Sequence, residues 1–150
     1  MQHKKPKILR LILGDQLNAN HSWFSTVDES VTYVMMETRS ETDYAYHHIQ
    51  KVVGFFVSMR RFSDFLWSEK HQVIYIKIND SENLHSFEAN LLYIINQNQI
   101  TRFEYQLPDE YRVDQILMAF CNTLSIPYSS CDTEHFLTTR DELGNFFSGK

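Results

Sequence analysis

The sequence predicts an α/β fold, a three-layer sandwich around a five-stranded, mostly parallel sheet. Three observations predict it. Short apolar runs, residues 7–13 and 31–36 among them, are continuously hydrophobic instead of alternating, as in strands covered on both faces. Between the later strands, apolar residues recur every three or four positions, the period of a helix packed on one side. The order β, β, α, β, α, β, α, β alternates after its first pair and calls for right-handed crossovers.

The first strand, 7–13, stops abruptly at Gly14-Asp15-Gln16. In an open α/β sheet ligands sit outside the carboxyl ends of the strands, so a site is expected to begin at this turn. It holds one glycine and neither of the spacings that bring backbone N–H groups against phosphates. A ligand here is expected to be held by the side chains of Asp15 and Gln16 and by ring packing. Residues 18–30 are polar and turn-rich, with Trp23 and Phe24 expected to tuck a short helical turn against the sheet. The second strand is 31–36.

A long helix is expected over 43–70, with Tyr44, His48, Val52, Phe55, Phe56, Met59, Phe62 and Leu66 on one face and Thr42 or Asp43 as N-cap. Its Phe and Met residues read as core. Gly54, which costs about 1 kcal/mol relative to alanine in a helix interior, is expected to mark close packing against a strand. A third strand follows at 72–78, then a helix opened by Ser81 or Asn83 and running to about Asn96, with Phe87, Leu91, Ile94 and Ile95 inward. A fourth strand, 102–106, ends before Pro108; a helix over 109–124 and a strand over 126–130 complete the domain, assigned to 7–133. Residues 134–150, with a cap at Thr138 or Thr139 and two aromatics near the end, read as the start of a linker toward a further domain.

At 150 residues the chain suits one domain. A hydrophobic fraction of 43% with only 4 Gly and 3 Pro excludes disorder and collagen-like repetition. The net charge of -5 and the scattered basic residues exclude the broad positive footprint of a duplex-binding surface. The early HKKPK reads as a solvated basic tail. Cys121 and Cys131 have neither zinc spacing nor a C-x-x-C, and are expected as unpaired buried thiols in a reducing compartment. Neither a secretory signal nor a run of ~18 apolar residues is present, so a cytoplasmic protein is expected.

Glu37 and Glu41 follow the second strand as Gly14-Asp15-Gln16 follows the first, which places them at one sheet edge if the strands are parallel neighbours. A carboxylate there can accept hydrogen bonds from ring N–H or hydroxyl groups; alternatively, Glu41 caps or salt-bridges the long helix. Asp109, Glu110 and Arg112 either line the same pocket or begin a helix, whose dipole suits acidic residues. His47 and His48 would point about 100° apart on a helix and make a poor metal pair. With no G-x-S-x-G elbow present, no catalytic residue and no metal site is assigned.

Five blocks, LRLILGDQLN, METRSETDYAYHHIQKVVGFFVSMRRF, VIYIKIND, RFEYQLPDEYR and DTEHFLTTRDEL, resemble in this order the deoxyribodipyrimidine photolyase-related proteins, the iron–sulfur bacterial cryptochrome and photolyase group. The resemblance covers about residues 7–150 and only the N-terminal antenna domain. It implies a Rossmann-like domain binding 6,7-dimethyl-8-ribityllumazine, which passes excitation to FAD. By position it implies Gly14, Asp15, Gln16, Leu17, Glu37, Glu41, Tyr44 and Glu110 as cofactor-binding residues. FAD and a four-iron cluster would belong to a helical C-terminal flavin domain absent from this chain, and two cysteines could not hold that cluster. The parent is expected to repair DNA in light or to sense blue light, meeting DNA only outside this chain, with no membrane contact. The chain alone is expected to have no enzymatic activity. Two alternatives stand beside this reading: a nucleotide-binding module at the same edge, and an interdomain docking domain using Phe146 and Phe147.

Overall fold

Alternate side chains of each strand point to opposite faces, and both faces here are apolar, so the strands bury two cores at once. In the computed structural model, which describes residues 5–148, the strands are β1 (Ile8–Leu11), β2 (Val31–Met36), β3 (Gln72–Ile76), β4 (Arg102–Gln106) and β5 (Tyr128–Cys131). They form one sheet in the order β3-β2-β1-β4-β5, every pair parallel. Ile8 lies opposite Val31 on one side and Arg102 on the other.

The helices are α1 (Arg39–Thr42), α2 (Ile49–Ser68), α3 (Phe87–Asn98), α4 (Tyr111–Thr123) and α5 (Arg140–Phe147), with a 3-10 turn at Ser22–Phe24. From β1 to β3 the chain steps toward one edge, and from β3 to β5 toward the other. Right-handed crossovers therefore place the two sets of connections on opposite faces. Ile12, Tyr33 and Met35 pack with Met59, Phe62 and Leu66 of α2, joined by Trp23 and Phe24 as expected. On the other face Leu11, Val34 and Phe103 pack with Leu91 of α3 and Leu117 of α4. The direction reverses between β1 and β4, the switch point at which such sheets bind ligands. No helix among the described residues is long and apolar enough to cross a membrane.

Several boundaries differ from expectation. The long helix starts at Ile49, not Asp43, because His48 is the N-cap: its Nδ1 accepts from the Gln50 N–H at 3.2 Å. Before it, α1 closes after one turn, and Tyr44, His47 and His48 lie on the non-helical passage between the two. Gly54 meets nothing within 4 Å of a built Cβ, so the expected close packing is absent there. β3 ends at Ile76, since the N–H groups of Lys77 and Ile78 turn to Asp80 and Glu37. α3 starts at Phe87 under a Ser86 cap because the residues before it turn around Asn83, which ties Glu37 O, Lys77 O and Asn90 together. β5 sits later than expected, at Tyr128–Cys131, and Thr139 is the N-cap of α5, with its N–H donated to Glu142 at 2.9 Å. Both cysteines are free, but only Cys121 is fully buried; burial pushes their thiols up to about 11 and about 12 respectively. Part of the early basic tail, and Gly149 and Lys150 at the end, lie outside the described residues.

Candidate functional site

The segments that follow β1, β2 and β4 converge at the carboxyl edge of the sheet, and α2 leans over them. Between them lies a cavity of about 200 Å³. Leu13, Gly14 and Asp15 form its β1 side, Thr38, Glu41 and Thr42 its β2 side, and Pro108 and Glu110 its β4 side. Tyr44, His47 and Lys51 stand along the passage into α2, and Phe55, Phe56 and Met59 roof it. Met36, Phe87 and Val113 close the apolar interior.

One arginine organises the acidic rim. Arg112, on the first turn of α4, donates from Nη2 to both oxygens of Glu41 at 3.1 and 3.0 Å and from Nε to Glu110 at 2.9 Å. Its Cζ lies 4.0 Å from the centroid of the Tyr44 ring, a cation–π contact. It thus ties the β2 loop, the β4 loop and the passage before α2 without lining the cavity itself. Desolvation raises the Glu41 carboxyl; Arg112 pulls it down, while Glu110 and Asp15 push it further up, and the net shift is upward. Asp15 is likewise raised, first by desolvation and then by the carboxylates of Asp109 and Glu110. Among the described residues the rim therefore presents three carboxylates, two of them paired with Arg112, beside rings and methionine. Such a surface offers acceptors to ligand N–H and O–H groups and apolar walls to a flat ring.

Of the residues singled out in the sequence, Gly14, Asp15, Glu41, Tyr44 and Glu110 come together at this cavity. The other three point elsewhere. Gln16 is buried, its Oε1 accepting from the Leu13 N–H at 3.0 Å and its Nε2 donating to Gln106 O at 3.2 Å, so it pins the β1 turn to the end of β4. Leu17, partly buried, packs against the core on the α2 face. Glu37 is fully buried, with both oxygens taken by Arg60, at 2.7 and 2.9 Å, and with Tyr75 Oη and the Ile78 N–H added. Burial pushes Glu37 up, but Arg60, Ile78 and Tyr75 together hold it below the ordinary carboxylate range.

The aromatic roof escaped the sequence reading, which took Phe55, Phe56 and Met59 as core. Met59 does belong to the core and Phe56 packs against it, and both also line the cavity, while Phe55 is exposed. A signal did exist: Val52, Phe55 and Phe56 make the apolar surface of α2 wider than one sheet contact needs. No group of three or more His, Cys, Asp or Glu side chains among the described residues is placed to hold a metal ion.

The model of one protein family, described as "Deoxyribodipyrimidine photo-lyase-related protein", matches residues 10–150. A protein of Agrobacterium fabrum strain C58 described as "(6-4) photolyase" is 31% identical over 143 residues. That match takes in 95% of this chain and 28% of the relative, so the chain spans little more than a quarter of the length of the curated protein it resembles.

Proposed function

The chain belongs to the deoxyribodipyrimidine photo-lyase-related family, and from that premise we propose that it is the light-harvesting domain of a photolyase- or cryptochrome-like flavoprotein. The ligand of the cavity is a ribityllumazine of the 6,7-dimethyl-8-ribityl type. The observation that carries this reading is the make-up of the cavity. An apolar interior and an aromatic roof meet a rim of carboxylates at the switch point of the sheet, with no glycine-rich phosphate cradle. A ribityllumazine has a polar ring and a hydroxylated chain but no phosphate, and those are the groups such walls accept.

When bound, the lumazine would supply light absorption and the passage of excitation to a flavin. The residues of this chain hold it and do no chemistry on it. Glu41 and Glu110, kept in place by Arg112, and Asp15 accept hydrogen bonds from ring or ribityl donors. Phe55, Phe56 and Met59 exclude water from the ring. Energy transfer depends on separation and orientation, so rigid positioning is the domain's task. FAD, DNA and the C-terminal flavin domain are partners of the longer protein. A four-iron cluster does not fit here: it takes four thiolates, and this chain has two cysteines, one of them packed in the core.

The test is a titration of the purified chain with 6,7-dimethyl-8-ribityllumazine, followed by absorption and fluorescence. A saturable red shift or quench, weakened by Glu41→Ala, is expected. Spectra that do not respond at high micromolar ligand would overturn the reading.

A further inference from the structure

Gly14 carries more than a turn. Its φ does not lie in the left-handed region, so no backbone conformation requires glycine there. Space does. A Cβ built on Gly14 would lie 2.6 Å from Phe55 Cζ and 2.9 Å from Met59 Sδ, closer than real Cβ contacts come. The ring edge of Phe55 and the thioether of Met59 therefore rest on the bare backbone of the β1 turn. All three residues line the cavity.

We propose that Gly14 is a positioning residue of this site: by letting Phe55 and Met59 lie down on the turn, it keeps open beside them a slot for one flat heteroaromatic ring. The inference rests on the lumazine reading and adds which part of the site grips the ring. Met59 is buried and has little freedom to withdraw, whereas Phe55 is 42% exposed. A methyl group at position 14 cannot be accommodated by Met59, so it lifts the Phe55 ring off the turn and narrows the slot. Phe55 and Met59 also suit the ring chemically, since aromatic faces stack and thioether sulfur favours ring edges.

The experiment compares the wild-type chain with Gly14→Ala, Phe55→Ala, the double variant and Phe55→Trp. Each is titrated with 6,7-dimethyl-8-ribityllumazine after circular dichroism has verified its fold. Gly14→Ala should weaken binding about tenfold, the size of a modest overpacking. Phe55→Ala alone should weaken binding by loss of its ring, and adding Gly14→Ala to it should cost little more, because trimming Phe55 removes the side chain that the methyl would displace. Phe55→Trp, a change on an exposed side chain that the fold tolerates, should weaken binding as Gly14→Ala does and decides the matter if Gly14→Ala does not fold. Lumazine ignored by the wild-type chain overturns the functional reading and this inference with it. Lumazine bound equally well by wild type and Gly14→Ala, or by wild type and Phe55→Trp, overturns this inference alone. So does a double variant about tenfold weaker than Phe55→Ala alone.

Discussion

Glu37 and Glu41 leave the end of the same strand four residues apart, and each meets an arginine, yet they serve different regions of the molecule. Glu37 sits in a closed network: Arg60, Tyr75 and the Ile78 N–H occupy both its oxygens, and its pKa is held down. Glu41 sits on an open rim, where Arg112 is the one hydrogen-bonding partner of its carboxylate among the described residues and where desolvation and two neighbouring carboxylates push its pKa up. A carboxylate has about four lone-pair sites. Glu37 has spent its own on the fold, while Glu41 keeps capacity for a ligand. A carboxylate at the right edge of a sheet is therefore not yet a binding group; what is left over after folding decides.

The largest effect should come from the closed network. Glu37→Ala removes the acceptor for a backbone N–H, a tyrosine and an arginine, and should destabilise the chain by about 2–4 kcal/mol, read from the denaturant midpoint. Arg60 is partly exposed and can turn to water, which keeps the figure from going higher. A loss under ~1 kcal/mol would erase the contrast, because Glu37 would then be as dispensable to the fold as Glu41.

The rim should behave the other way. Glu41→Ala should weaken lumazine binding about tenfold, near 1.4 kcal/mol, while the unfolding midpoint shifts little. A variant that melts early but binds normally would assign Glu41 to the fold instead.

The pH dependence separates the two regions by sign. Glu37 is depressed in the folded chain, so its contribution is fully present above its ordinary value of 4.5 and is lost as pH falls through its lower folded value. Glu41 is raised, so its charged form costs stability at neutral pH, and the cost is relieved as pH falls through its folded value toward 4.5. Denaturant midpoints measured against pH should show Glu41→Gln removing a gain on mild acidification above pH 4.5. Glu37→Gln should instead flatten the loss below that pH. The same slope in both variants would contradict the division.

The smallest effect should follow Arg112→Lys. An ammonium keeps the charge but cannot fork between Glu41 and Glu110 or stack flat on Tyr44. Stability should fall by about 0.5–1 kcal/mol, as for a partly exposed pair, and lumazine affinity by a few-fold. An unchanged affinity would show that the rim needs charge at this position and not geometry.

The fold was largely legible because its signals are local. Unbroken apolar runs such as Val31–Met36 mark strands covered on both faces, and the recurrence of Met59, Phe62 and Leu66 marks the buried face of α2. The start of α2 was not legible, because Asp43 and Thr42 are better caps by type than His48, which takes the role here through its ring nitrogen. The non-helical passage before α2 carries Tyr44 and His47 to the cavity wall. Gly54 and Gly14 make the same point from opposite sides. The glycine expected to mark close packing faces open space, while the one noted for its turn is the one that two side chains press against.

By itself, then, the sequence determined the class of the fold and the sheet edge at which a site would form, since both follow from apolar period and from where strands stop. It also marked the polar residues that cluster near that edge. Only the tertiary structure decided which of them face the cavity. Gln16 is claimed by Gln106, far along the chain, and Glu37 by Arg60 and Tyr75, whereas Asp15, Glu41 and Glu110 are left at the rim. The direction of a side chain in a loop is set by the partner that satisfies it, and no local pattern records a partner supplied by another part of the fold.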